Sequence, residues 1–178
     1  LGGNPEISDA LKADIAAACV PKVVAALAAD APNVIHLDTA GIWGVDFGDA
    51  EAAALANCLE ANTQLQSLAI GFGASTSSSS LTDVGATHLE RVLGSGCSGV
   101  VSVRFQDSVN VSSARRSAIG QLCAANALRR ATANDPALKS LPLEQHSGFA
   151  DADMPQLAAA LRTNMALRTL SFTSNKAV

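Results

Sequence analysis

The residues best suited to chemistry fall in three groups. Gly94-Ser95-Gly96-Cys97-Ser98-Gly99 has the letters of the GxGxxG phosphate loop. A dinucleotide loop follows a strand and opens a helix, so that backbone amides and the helix dipole meet the pyrophosphate. Here a helical pattern ending at Leu93 comes first and an extended pattern, Val100 to Phe105, follows. The order is reversed, so these glycines are expected to end a helix. The second group is Cys19, Cys58, Cys97 and Cys123, with no CxxC and no His at ligand spacing; a zinc site needs paired ligands on a short loop. A nucleophilic Cys or Ser needs a nearby base, and His36, His88 and His146 fall in different elements. No catalytic residue, metal or cofactor is expected, and the chain reads as a non-enzyme. Third are Arg115-Arg116 and Arg129-Arg130, which could stabilise a transferring phosphoryl group but read first as solvated helix faces.

These residues sit in 178 positions with 12 basic and 16 acidic side chains. A net charge of −4 provides no cationic field for a phosphate backbone, so no nucleic-acid partner is expected. The chain is 48% hydrophobic with five Phe, one Trp and no Tyr, so its core must be built from aliphatic and small residues. Mean hydropathy is +0.24, yet apolar runs such as Val23 to Ala29 fall short of the ~18–20 residues of a spanning helix. No membrane span is expected. Widely spaced cysteines in a chain with ample apolar content read as reduced thiols of an intracellular, cytoplasmic protein. Cys19 and Cys123 are expected to pack, and Cys97 to be accessible. The opening Leu1-Gly2-Gly3-Asn4-Pro5 has neither leader character nor an initiator Met, so residues 1–178 read as one domain of a longer polypeptide.

A repeat organises the whole. Leu161-x-x-Asn164-x-x-Leu167-x-x-Leu170-x-Phe172 has the spacing of Leu59-x-x-Asn62-x-x-Leu65-x-x-Leu68-x-Ile70. With one residue inserted before the strand, Leu27 leads to Val34-x-x-Leu37-x-Thr39, Leu93 to Val100-x-x-Val103-x-Phe105, and Ala131 to Leu138-x-x-Leu141-x-Leu143. Apolar pairs at i, i+4 precede four of the five anchors: Val23/Leu27, Leu55/Leu59, Leu89/Leu93 and Leu157/Leu161. That spacing puts both side chains on one helix face. Asp49, Thr82, Ser112 or Ser113, and Asp151 are candidate caps for these helices. Residues 71–81, Gly- and Ser-rich, are expected to be a disordered loop. Pro142 removes a backbone donor from the fourth strand, which predicts a local sheet defect there.

The Leu157–Asn175 and Leu55–Leu68 phrases resemble leucine-rich repeats of the ribonuclease-inhibitor type. Their wording is most similar to the C-terminal domain of tropomodulins, which cap actin filament pointed ends. The resemblance implies an α/β leucine-rich repeat solenoid of about five repeats, with a concave parallel sheet and convex helices. It implies a non-catalytic protein-interaction scaffold, cytoskeletal in setting, with actin as partner. Ran GTPase-activating proteins use the same kind of repeat, which makes stimulation of a GTPase the alternative. Neither end reads as a polar cap, which leaves flanking sequence or edge-to-edge self-association.

Alternation along each strand exposes the residues beside the inner apolar ones. One column is His36, Ser67, Ser102, Ser140 and Thr169, the next is Asp38, Ala69, Arg104, Pro142 and Ser171, and a third includes Gln106 and Glu144. Interfaces favour Trp, Tyr and Arg as anchors, and this face offers only Arg104. Its candidate partner-binding residues are therefore His36, Asp38, Arg104, Gln106 and Glu144. Trp43, just past the first strand, is expected in the core.

Overall fold

The computed structural model describes residues 20–39, 47–71, 81–105, 110–143 and 148–171. The Ser-rich stretch 72–80, Trp43, Cys19, His146 and both chain ends lie outside the described residues. Helices and strands alternate. Helical residues 20–28 (α1) precede β1 (His36–Asp38), then come α2 (Asp49–Leu59), β2 (Ser67–Ile70), α3 (Asp83–Gly94), β3 (Ser102–Phe105), α4 (Ser113–Thr132) and β4 (Ser140–Pro142). A 3-10 turn (Asp151–Asp153), α5 (Met154–Thr163) and β5 (Thr169–Ser171) complete the order. The architecture is α/β, with every paired strand parallel: β1–β2–β3 form one sheet and β4–β5 a second.

The register follows the spacing of the sequence. Leu37 pairs with Leu68 and Leu68 with Val103, while Leu141 pairs with Leu170. These inner side chains turn toward the helices with those of the i, i+4 pairs, and Leu27, Leu55, Leu59, Leu68, Leu89, Leu93 and Leu141 are almost wholly buried. Each such leucine contributes about 1.5–3 kcal/mol on leaving water. Alanines at Ala52, Ala56, Ala86, Ala127 and Ala131 are buried as well, which lets the layers approach without aromatic filler. Among the described residues the core is in two clusters, one from the first three units and one centred on Leu138, Leu141, Leu143 and Leu157. The long α4 serves both, giving Ile119 and Cys123 to the first and Ala127, Leu128 and Ala131 to the second.

Two kinds of turn join helix to strand, and the inserted residue separates them. Three residues after the anchors Leu27, Leu93 and Ala131, in the units with the insertion, stand Asp30, Gly96 and Asn134 with φ of 50°, 70° and 54°. These left-handed conformations suit Gly, Asn and Asp. In the shorter units the equivalent residues are Asn62 and Asn164. The Asn62 side-chain amide donates to the Leu27 carbonyl at 2.8 Å, and its oxygen accepts from the Leu65 N–H at 2.8 Å. Asn164 repeats this with the Ala131 carbonyl at 2.7 Å and the Leu167 N–H at 2.7 Å. In return Asp30 accepts from the N–H groups of Thr63 and Gln64, and Asn134 from those of Met165 and Ala166.

The defect expected at Pro142 is present. Among the described residues no backbone hydrogen bond joins β3 to β4. Leu143 N–H donates to Ser171 O and Thr169 N–H to Lys139 O, so residues 139, 141 and 143 face β5. Alternate residues of a strand direct their N–H and C=O groups to opposite sides, so Ser140 and Pro142 face β3. The donor that proline lacks is one that would have paired with β3.

Candidate functional site

The side of the sheet turned away from the buried leucines carries the candidate partner residues. Register places His36 beside Ser67 and Ser67 beside Ser102, and in the next row Asp38 beside Ala69 and Ala69 beside Arg104. His36, Asp38 and Arg104 are exposed, Ser67 and Ser102 half-buried and Ala69 buried. The result is a shallow floor of small side chains with an acid at one edge and a guanidinium two strands away. Arg104 makes no hydrogen bond or ion pair among the described residues, so it is available to an incoming group. On the second sheet Ser140 and Thr169 are exposed and Pro142 and Ser171 half-buried, continuing the polar, small-residue character. Gln106 and Glu144 lie outside the described residues.

The glycine motif does what a helix end requires. α3 stops at Gly94, the Ser95 N–H donates back to the Arg91 carbonyl and the Gly96 N–H to the Leu93 carbonyl, and Gly96 takes the left-handed turn. A Cβ at Gly99 would lie 2.2 Å from the Thr63 carbonyl oxygen, so close packing demands that glycine. Cys97 is exposed in this turn, Cys58 half-buried and Cys123 buried. Burial pushes the Cys123 thiol up to about 12, against the opposing effect of the Val103 N–H. That thiol, wholly buried, is no nucleophile in this fold. His88 is half-buried on α3 and His36 exposed on β1. Among the described residues no group of three or more His, Cys, Asp or Glu side chains could hold a metal.

The paired arginines are held by the fold. Arg115 is bonded to Glu90, and Arg116 donates to the Val111 carbonyl at 2.9 Å and lies over the Phe105 ring. Arg130, 3% exposed, bonds Asp135 at 2.7 Å and also the Gly99 carbonyl. Burial works against the Asp135 charge, but the Ala137 N–H and Arg130 outweigh it and hold the carboxyl below its ordinary range. Arg129 is exposed, donates to Asn126 at 3.5 Å and adds to the positive charge beside Asp135.

Helix N-termini, ready sites for anions, are partly occupied from within. Thr82 and Ser112 cap α3 and α4 as their types suggest. Asp49 and Asp83, however, turn to the next unit. Asp49 accepts from the Thr82 N–H and hydroxyl, both at 2.8 Å, and from the Gly85 N–H at 2.9 Å; Asp83 accepts from the Ser112 N–H at 2.8 Å. Burial opposes the Asp49 charge and those donors outweigh it, so the carboxyl is held below its ordinary value. The Ser112 bonds do the same for Asp83. The sequence marked Asp49 as a cap of its own helix; that position is Gly48, and Asp49 caps the neighbour instead. The signal for this was the spacing of an acid in one first turn to a Thr or Ser cap in the next unit.

A cavity of about 780 Å³ lies between α4, the 3-10 turn and α5, with Arg129, Gln121, Asp153 and Gln156 around an alanine-rich wall. It gathers none of the candidate partner residues. No helix among the described residues is long and apolar enough to cross a membrane. No family model and no curated protein matches the chain.

Proposed function

We propose that the chain is a leucine-rich repeat solenoid of the ribonuclease-inhibitor-like type acting as a non-catalytic protein-binding scaffold in the cytoplasm. The observation that carries the reading is the paired register His36–Ser67–Ser102 and Asp38–Ala69–Arg104. It sets an exposed polar row on the strands of a parallel sheet whose opposite side is fully packed. Support for the repeat comes from five successive helix–strand units, whose strands are in register within each of the two sheets, and from the Asn62 and Asn164 bonds to the preceding unit's anchor carbonyl. The floor of Ser67, Ala69 and Ser102 suits a protein surface with its own projecting side chains, and Arg104 suits an acidic group on it.

The tropomodulin likeness selects actin as the first partner to test. In co-sedimentation with filamentous actin and in pointed-end elongation assays, the chain is expected to slow pointed-end growth with dose, and Arg104→Glu to weaken this at least tenfold. A folded chain that leaves elongation unchanged removes actin and sends the search to other protein partners. A GTPase-activating role would run through Arg104, the strand guanidinium left accessible. Turnover assays with small GTPases test it, and stimulation lost in Arg104→Ala would replace the scaffold reading.

A further inference from the structure

The helix layer is fastened along two of its joints and open along the third. α2 and α3 are joined by the Arg91–Glu60 ion pair at 2.5 Å and by Asp49, which accepts from the Thr82 and Gly85 N–H groups. α3 and α4 are joined by Arg115 with Glu90 and by Asp83 with the Ser112 N–H. Both kinds of fastening need an acid in, or at the end of, the earlier helix. α4 has none in its 20 residues, and Ser113 holds the first helical position that Asp49 and Asp83 hold in α2 and α3. α4 and the α5 segment therefore meet only at two ends. At one the Asn164 amide donates to the Ala131 carbonyl at 2.7 Å. At the other the chain leading into α5 presses on α4, where a Cβ at Gly148 would stand 1.9 Å from the Gly120 carbonyl carbon. Between these ends no ion pair or hydrogen bond joins the two helices among the described residues, and the cavity of about 780 Å³ fills the space.

We propose that this cavity binds an amphipathic organic anion about 12 Å long, the span from Gln121 to Arg129 at ~1.5 Å per helical residue. Its volume lies within the ~300–1,000 Å³ of small-molecule sites. Gln121, Ala125 and Arg129 share one face of α4 at i, i+4 and i+8, with Ala124, Ala125 and Leu128 as the apolar wall between the two polar ends. Arg129 is exposed, makes one long bond, to Asn126 at 3.5 Å, and has no ion pair; Asp135, which feels its charge, is bonded to Arg130 at 2.7 Å. The Arg129 fork is thus open to a carboxylate, sulfonate or phosphate, with the Thr132 hydroxyl at the same end. Asp153 stands eight residues before the anchor Leu161, level with Cys123, and so belongs to the Gln121 end. Its carboxylate accepts from the Ala150 N–H at 2.8 Å and repels a second anion, so that end takes a hydrogen-bond donor. The site is on the helix side, away from the exposed strand face, and does not depend on what binds that face.

The test uses anilinonaphthalene sulfonate, an organic anion with an apolar body, beside phenylnaphthylamine, the same ring system without the sulfonate. Fluorescence titration of the full chain is expected to saturate at one sulfonate probe per molecule, with the uncharged probe bound about tenfold more weakly, the effect of a charge-assisted hydrogen bond. Arg129→Gln is expected to weaken the sulfonate by about the same factor and to leave the uncharged probe unchanged. Ala125→Trp fills the cavity and is expected to abolish binding of both, while Arg104→Glu, on the strand face, changes neither. The site is overturned if the sulfonate does not bind saturably, if the two probes bind alike, or if Arg129→Gln has no effect. It is equally overturned if Ala125→Trp binds the sulfonate as before, since the probe then sits elsewhere. Both helix positions are exposed; should Ala125→Trp not fold, Arg129→Gln and the pair of probes decide the matter.

Discussion

The joint between the first and second units and the joint between the fourth and fifth are built alike, while the joint between the third and fourth is built from other parts. In the first two, a left-handed residue, Asp30 or Asn134, receives the N–H groups of the following turn, and an asparagine, Asn62 or Asn164, bonds back to the preceding anchor. At the third-to-fourth joint two left-handed turns follow one another, Gly96 and then Asn134, and neither supplies the returning asparagine. Helix α4 fills the vacancy with Asn126 and Arg130, whose groups reach the Leu93, Val100 and Gly99 carbonyls. One inserted residue per turn therefore decides whether a loop or a helix satisfies the buried carbonyls of the neighbouring unit.

The largest test of this contrast is in the core. Leu68→Ala is expected to cost about 4 kcal/mol and Leu141→Ala about 3 kcal/mol, less because half-buried Leu161, Leu167 and Leu170 around it can relax. Urea unfolding followed by hydrogen exchange would show Leu68→Ala weakening the whole molecule, and Leu141→Ala weakening β4 and β5 first. Next, Arg130→Ala leaves Asp135 and the Gly99 carbonyl without their shared donor, an expected loss of about 3 kcal/mol in chemical denaturation. If Arg130→Ala costs no more than a surface change, α4 does not hold the third joint. Asn62→Ala and Asn164→Ala then compare the two like joints. Asn62 is fully buried and is expected to cost about 2 kcal/mol; Asn164 is half-buried and is expected to cost about 1 kcal/mol. Reversal of that order would show that burial does not set the strength of the bond.

The smallest effect is in pH. Asp30, Asp49 and Asp135 are burdened by burial but held below the ordinary carboxylate value of 3.8 by the N–H and side-chain donors they accept from, and Asp83 is held below it by its Ser112 bonds. Their contribution is complete above about 3.8, where folded and unfolded forms are both ionised, and is lost as pH falls through the lower folded values. Thermal melts from pH 6 to pH 2 should therefore show a decline confined to the acid end, and Asp49→Asn should flatten part of it. A decline that begins above pH 5 would point to other groups.

Much of this fold was legible because leucine spacing and strand alternation are geometric. The pairing of Leu37, Leu68 and Val103 and of Leu141 and Leu170, the burial of Cys123, the turn at Gly96 and the break at Pro142 all follow from residue type and position. The joints were not legible, since Asp30, Asn126 and Arg130 act on residues 26 to 34 positions away, and a single helix pattern does not show which neighbour a polar side chain will meet. For the same reason Asp49 read as a cap of its own helix, although its acceptor oxygens serve Thr82 and Gly85. The candidate face was legible only as columns. His36, Asp38 and Arg104 emerge on the exposed side as alternation requires, and which of them meets a partner is a property of that partner's surface.

The asymmetry of the turns also governs how such an array can grow or be engineered. A unit with a left-handed turn offers acceptors that only an asparagine-bearing successor completes, so the natural module is a pair and not a single unit. Lengthening the chain by duplicating the fourth and fifth units together would carry Asn134 and Asn164 as a matched set. Copying either alone would multiply joints of the kind that here required a twenty-residue helix to mend.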